Sequence, residues 1–322
     1  MKKSFRNLFL LFLISLFLLS TACSSKENKV LYLSGYSTIY RINTRDNSLS
    51  WSREVNCLHS AAAADSTTDT LWVGTENENI HAWATSGTSK YGTAASFNND
   101  IQAEMLLVDG ILYYNGAYDS ATSMFPLYAR DVENNTETAL PVGICPAGNF
   151  TVYENCLYAC SATGITVYDL KTGEAVAYEL EDPEYTYISL SENILTAGYA
   201  DRLEWYSADM NSLEKINTIS AADLGLENFS VIGTGTAAAV LIEHGASETA
   251  GETAMYVYLL ETESLVLCDL LSESPGFITF SDDGFYALWK HQLIYYDYDG
   301  NQKVICEDTG TYYTELEESD NT

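Results

Sequence analysis

One short pattern recurs seven times along this chain and constrains its fold more than any other feature. A turn-type dipeptide is followed at once by a short apolar strand. Asn28-Lys29 precedes Val30-Leu31-Tyr32, Thr68-Asp69 precedes Thr70-Leu71-Trp72, and Asp109-Gly110 precedes Ile111-Leu112-Tyr113. Glu154-Asn155, Glu192-Asn193 and Asp283-Gly284 repeat it clearly, and Gly235-Thr236 before Ala237-Ala238 is a faint copy. The copies lie 38 to 48 residues apart. After each comes a strand with alternating aromatics, such as Ile39-Tyr40-Arg41-Ile42 or Leu203-Glu204-Trp205-Tyr206, then a polar turn and a further strand. Before each dipeptide after the first stands another strand, for example Ile188-Ser189-Leu190. Alternation is the strand period. A helical period shows only across residues 221–226, a turn or two.

Four short strands in every ~40 to 45 residues are the sequence signature of a propeller blade. The chain is therefore expected to be all-β, with a single seven-bladed β-propeller over residues 30–316, or six or eight blades if the weak copy around Ala238 is misphased. The units resemble WD40-like and quinoprotein-like (PQQ-type) repeats, the latter in Tyr168-Asp169-Leu170-Lys171-Thr172-Gly173-Glu174 and Asn47-Ser48-Leu49-Ser50-Trp51. The Gly-His and Trp-Asp dipeptides of WD40 repeats are missing, and the quinoprotein tryptophan recurs once at its place, as Trp51. The first unit starts at Val30 with no local source for an innermost strand. Residues 311–316, Thr-Tyr-Tyr-Thr-Glu-Leu, are rich in strand formers and are expected to supply it, leaving 317–322 as an acidic tail.

The first 22 residues have a different character. Lys2, Lys3 and Arg6 precede an apolar run over residues 8–19 broken only by Ser15. That run is too short for the ~20 residues a spanning helix needs and reads as a signal peptide. Its end, Leu19-Ser20-Thr21-Ala22-Cys23, resembles the lipobox of bacterial lipoproteins, with Ser20 where an aliphatic residue is usual. The resemblance implies cleavage before Cys23, lipid on Cys23, and a tether over residues 23–29. Two or more acyl chains give lasting attachment where one is marginal. The expected location is the extracytoplasmic face of a membrane, held by that lipid.

The whole chain carries a net charge of −30, and losing residues 1–22 removes three cations and no anion. Such a surface repels phosphate backbones and anionic lipid, so no nucleic-acid partner is expected. Seven cysteines are present. With Cys23 set aside for lipid, the even remainder permits disulfides in an exported chain. Cys156 and Cys160 lie on one strand about 13 Å apart, beyond mutual disulfide reach. Small buried hydrophobes are the plainer reading of these cysteines.

Propellers bind at the mouth of the central tunnel, where the innermost strands and the loops leading into them converge. Those segments supply His59, Asp100, Glu104, Asn149, Tyr185, Tyr187 and Asn228 as candidate ligand residues, a set suited to a protein or carbohydrate partner. Catalytic readings fare worse. A sialidase would need an arginine triad and Ser-x-Asp-x-Gly-x-Thr-Trp boxes, and the boxes are absent from the sequence. A quinoprotein dehydrogenase would need a longer chain and adjacent cysteines, and a serine peptidase a Gly-x-Ser-x-Gly elbow. Asp297-Tyr298-Asp299-Gly300-Asn301 lacks the later glutamate of a calcium loop and reads as a hairpin turn. Neither a cofactor nor a metal is implied. The favoured expectation is a non-catalytic binding or scaffolding module, similar in architecture to the propeller lipoprotein of the outer-membrane protein assembly machinery. The alternative is a small hydrolase or lactonase using carboxylates and His59 at the tunnel mouth.

Overall fold

The computed structural model describes residues 30–35, 38–54, 60–65, 68–75, 79–86, 89–96, 105–146, 148–244, 253–271, 275, 277–289 and 292–307. Their strands form seven antiparallel sheets in chain order. Six have four strands, each paired with the next in sequence; the first, built from Val30–Gly35, Thr38–Asn43 and Ser48–Glu54, has three among the described residues. These sheets are the seven blades, and the faint copy is one of them. Ala238–His244 pairs with both Ser230–Thr234 and Thr253–Leu259 in blade 6. The innermost strands of blades 2 to 7 are Ser60–Asp65, Leu106–Val108, Phe150–Tyr153, Tyr187–Ser191, Ser230–Thr234 and Phe277–Ser281. The expected closing segment, residues 311–316, and the tail lie outside the described residues.

The period of two explains both the apolar strands and the ring. In Cys156–Ser161 of blade 4, Leu157 and Ala159 pack against blade 3, while Tyr158 and Cys160 pack against blade 5. Side chains alternate across a strand, so a blade between two neighbours must be apolar on both faces. Among the described residues the core accordingly divides into seven clusters, one for each pair of adjacent blades. The last joins blade 7 to blade 1, through Tyr286, Leu288, Leu293 and Tyr295 against Leu33, Tyr40 and Ile42. Tyr286 Oη also donates to Asn47 Oδ1 at 2.6 Å, across the same seam.

Turn chemistry sets the register. Asp109 and Gly110 (φ 50° and 77°), like Glu154 and Asn155 (φ 45° and 74°), take the left-handed pair that a tight type I′ hairpin needs. At the opposite hairpins an acidic residue recurs: the carboxylates of Asp131, Asp169, Asp209 and Asp297 each accept two backbone N–H groups from the turn that follows. Those N–H groups hold the carboxyls of Asp131, Asp169 and Asp209 below the usual aspartate range. Asp297 thus serves a hairpin, as expected. The short helix is Ala221–Leu224, closed at its start by a capping box between Ser220 and Asp223.

Candidate functional site

The innermost strands of blades 4 to 7 enclose a cavity of about 510 Å³ along the central axis. Its wall carries the hydroxyl residues Thr151, Ser189, Ser191, Thr234 and Thr279, the apolar Ile232, Ile278 and Phe280, and Glu192 at one end. Gly233 lets two blades approach here, since a Cβ on it would stand 2.5 Å from Ile278 Cγ2.

Of the candidate residues, Asn149 and Tyr187 line this cavity. Asn149 directs its amide at the neighbouring blade: Nδ2 donates to the Leu190 carbonyl at 2.9 Å, and Oδ1 accepts the Leu190 N–H at 2.7 Å. The side chain thereby imitates one more strand residue and clasps blade 4 to blade 5. Tyr187 reaches across to Thr234, Oη to Oγ1 3.5 Å. Tyr185 is half-buried beside the cavity rather than in its wall, with its hydroxyl donating to the Ser161 carbonyl at 2.9 Å. Burial, then the nearby Cys145 and Cys160, push its pKa up to about 12, so it remains a neutral donor. Asn228 is exposed and outside the cavity wall. His59, Asp100 and Glu104 fall outside the described residues, as does Cys23.

A second polar group was not singled out by sequence reasoning. Glu204, on the third strand of blade 5, Arg202–Ala208, is only 4% exposed. Its Oε1 meets Arg202 Nε at 3.1 Å and Lys215 Nζ at 3.0 Å, and its Oε2 accepts Tyr206 Oη at 2.5 Å. Burial alone would raise the Glu204 pKa, but the hydrogen bonds from Tyr206, Lys215 and Arg202 outweigh it and hold the carboxyl below its ordinary value. Arg202 also pairs with Asp182 at 2.6 Å and lies over the Tyr199 ring at 3.7 Å, while Tyr199 Oη donates to the Asp182 carbonyl. The network ties the connection between blades 4 and 5 to blade 5. The signal was present in the strand itself: Arg202, Glu204 and Tyr206 alternate, so they share one face, opposite Leu203 and Trp205.

No protein-family model matches this chain, and no curated protein matches it in sequence. Solved structures do. The β-propeller domain of Cps50 (Swd1) from Myceliophteria thermophila aligns over 87% of this chain and 92% of its own, at 12% identity and a TM-score of 0.56. The WD40 repeats of RRP9 align over 80% and 83%, at 14% identity and a TM-score of 0.51. The fold is a seven-bladed β-propeller. BamB from Moraxella catarrhalis aligns over 85% of the propeller chain and 78% of its own, at 17% identity and a TM-score of 0.41. The expectation of seven blades holds, although the Gly-His and Trp-Asp dipeptides that mark WD40 sequences are missing.

Proposed function

We propose that this propeller is an exported lipoprotein, anchored through lipid on Cys23, that serves as a non-catalytic binding or scaffolding module for a protein partner at the extracytoplasmic face of a membrane. The observation that carries the non-catalytic part is the make-up of the described tunnel wall. Its amide is spent on holding two blades together, its remaining polar groups are mainly serine and threonine hydroxyls, and one carboxylate, Glu192, stands at its end. Such a wall suits recognition by hydroxyl and apolar contacts better than proton transfer, which needs a base within hydrogen-bond reach of its target. Anchoring is supported by the charged start, the short apolar run and the small residues before Cys23. The strong negative charge favours a protein partner with a basic face.

The test joins fractionation to capture. The parent protein should partition with membranes, take up labelled fatty acid, and retain a specific protein from a crosslinked membrane extract. Cys23→Ser should lose the label. Fractionation and labelling unchanged by Cys23→Ser would overturn the anchor. A hydrolytic activity abolished by chelator and by His59→Ala would overturn the non-catalytic reading.

A further inference from the structure

Two buried cysteines meet where the chain passes from blade 3 into blade 4. Cys145 directly follows the outermost strand of blade 3, Thr136–Ile144, and Cys160 lies on the second strand of blade 4, Cys156–Ser161. They are 5% and 0% exposed and belong to one core cluster. The Cys145 N–H donates to the Cys160 carbonyl at 2.9 Å. The Cys160 N–H donates in turn to the Asn149 carbonyl at 3.0 Å, and the Gly148 N–H to the Cys145 carbonyl at 3.0 Å, so the tight turn that starts at Cys145 is held at both ends against Cys160. The sulfurs are also brought together. A Cβ on Gly148 would stand 2.9 Å from Cys145 Sγ and 3.3 Å from Cys160 Sγ, so both thiols flank one point, kept open by the missing side chain.

The geometry points to an intramolecular disulfide between Cys145 and Cys160 as a modification of the mature protein. In the reaction the thiolate of Cys145, the more exposed of the two, attacks a disulfide-bearing oxidant, either a thiol oxidoreductase or oxidised glutathione, and expels one thiol. Cys160 then attacks the mixed disulfide and expels the second. Two thiol protons and two electrons pass to the oxidant, which leaves fully reduced, and one S–S bond forms within the chain. Cys160 Sγ gives up its weak hydrogen bond to Asn149 Oδ1 (3.6 Å), while that oxygen keeps the Leu190 N–H. The product closes the segment carrying Gly148 and Asn149 into a covalent loop and fixes one side of the cavity mouth. Cys156, at the far end of its strand, takes no part.

Formation in the cell rests on the export reading; formation in the test tube does not, so two samples separate them. One is full-length protein recovered from its natural location. The other is made in a reducing cytoplasm without residues 1–22, purified, and oxidised with oxidised glutathione. Both are denatured at low pH, treated with N-ethylmaleimide, digested and mapped by mass spectrometry without reduction. The proposal expects the Cys145 and Cys160 peptides joined, two hydrogens lighter than their sum, in the oxidised sample, with Cys156, Cys268 and Cys306 alkylated. Dithiothreitol should then lower the melting temperature of that sample by about 5 °C and leave Cys145→Ala unmoved. Recovery of Cys145 and Cys160 as alkylated thiols after oxidation, or either one joined to another cysteine, overturns the pairing. If the purified sample is joined and the natural one is not, the two thiols can pair but the mature protein does not carry the bond and the proposal falls, while the export reading is decided separately by fractionation and fatty-acid labelling.

Discussion

Replacing Asn149 by alanine separates a clasp between blades from a ligand contact. The side chain makes two hydrogen bonds to the backbone of Leu190, at 2.7 and 2.9 Å. A buried hydrogen bond contributes a net ~1 kcal/mol, and the adjoining cavity lets water reach the orphaned Leu190 groups, which limits the further penalty. Asn149→Ala should therefore cost about 2 kcal/mol, or roughly 4 °C in melting temperature for a domain of this size. A urea titration followed by tryptophan fluorescence would measure it, with the midpoint falling and the slope unchanged. Asn149→Asp sharpens the argument. Its carboxylate still accepts the Leu190 N–H but faces the Leu190 carbonyl with negative charge, so it should be less stable than the alanine variant at neutral pH. As pH falls and the carboxyl gains a proton it becomes a donor, and stability should return toward the parent. An unchanged midpoint in Asn149→Ala would refute the clasp and leave Asn149 available as a ligand residue.

The buried glutamate gives an acid-dependent prediction. The Glu204 pKa is lowered in the folded state, so its contribution is present above the unfolded value of about 4.3 and is lost as pH falls through the folded value. Glu204→Gln should cost about 2 to 4 kcal/mol at pH 7, because Arg202 and Lys215 lose a buried partner, and the gap to the parent in a pH series of urea midpoints should close toward pH 3. A gap that is constant with pH would show that the charge is immaterial. Truncation after Asp308 addresses ring closure: if residues 311–316 supply the innermost strand of blade 1, the shortened protein loses a buried strand's apolar area at ~25 cal/mol per Å². It also bares a sheet edge, and should melt lower or aggregate. An unchanged melting temperature would refute the closure.

Much of the fold could be read from the chain because its information is local and repeated. Alternation along Cys156–Ser161 or Arg202–Ala208 declares a strand, Asp109-Gly110 and Glu154-Asn155 declare the hairpins, and seven copies declare the ring. Even the faint copy at Ala238 was placed correctly, since its neighbours fixed the phase. The signal-like start and the acidity are likewise properties of composition and order alone. The site was less legible. Asn149 and Tyr187 were placed at the tunnel from their position before or within an innermost strand, but whether an amide points to a ligand or to Leu190 depends on the next blade, 41 residues later. The same holds for Cys145 and Cys160, whose proximity comes from how the chain passes between two blades, and for Glu204, whose charge is tolerated because Lys215 lies across the sheet. A period of two tells which face a side chain occupies. What meets it on that face is set by the packing of blades distant in sequence, and only the tertiary structure contains it.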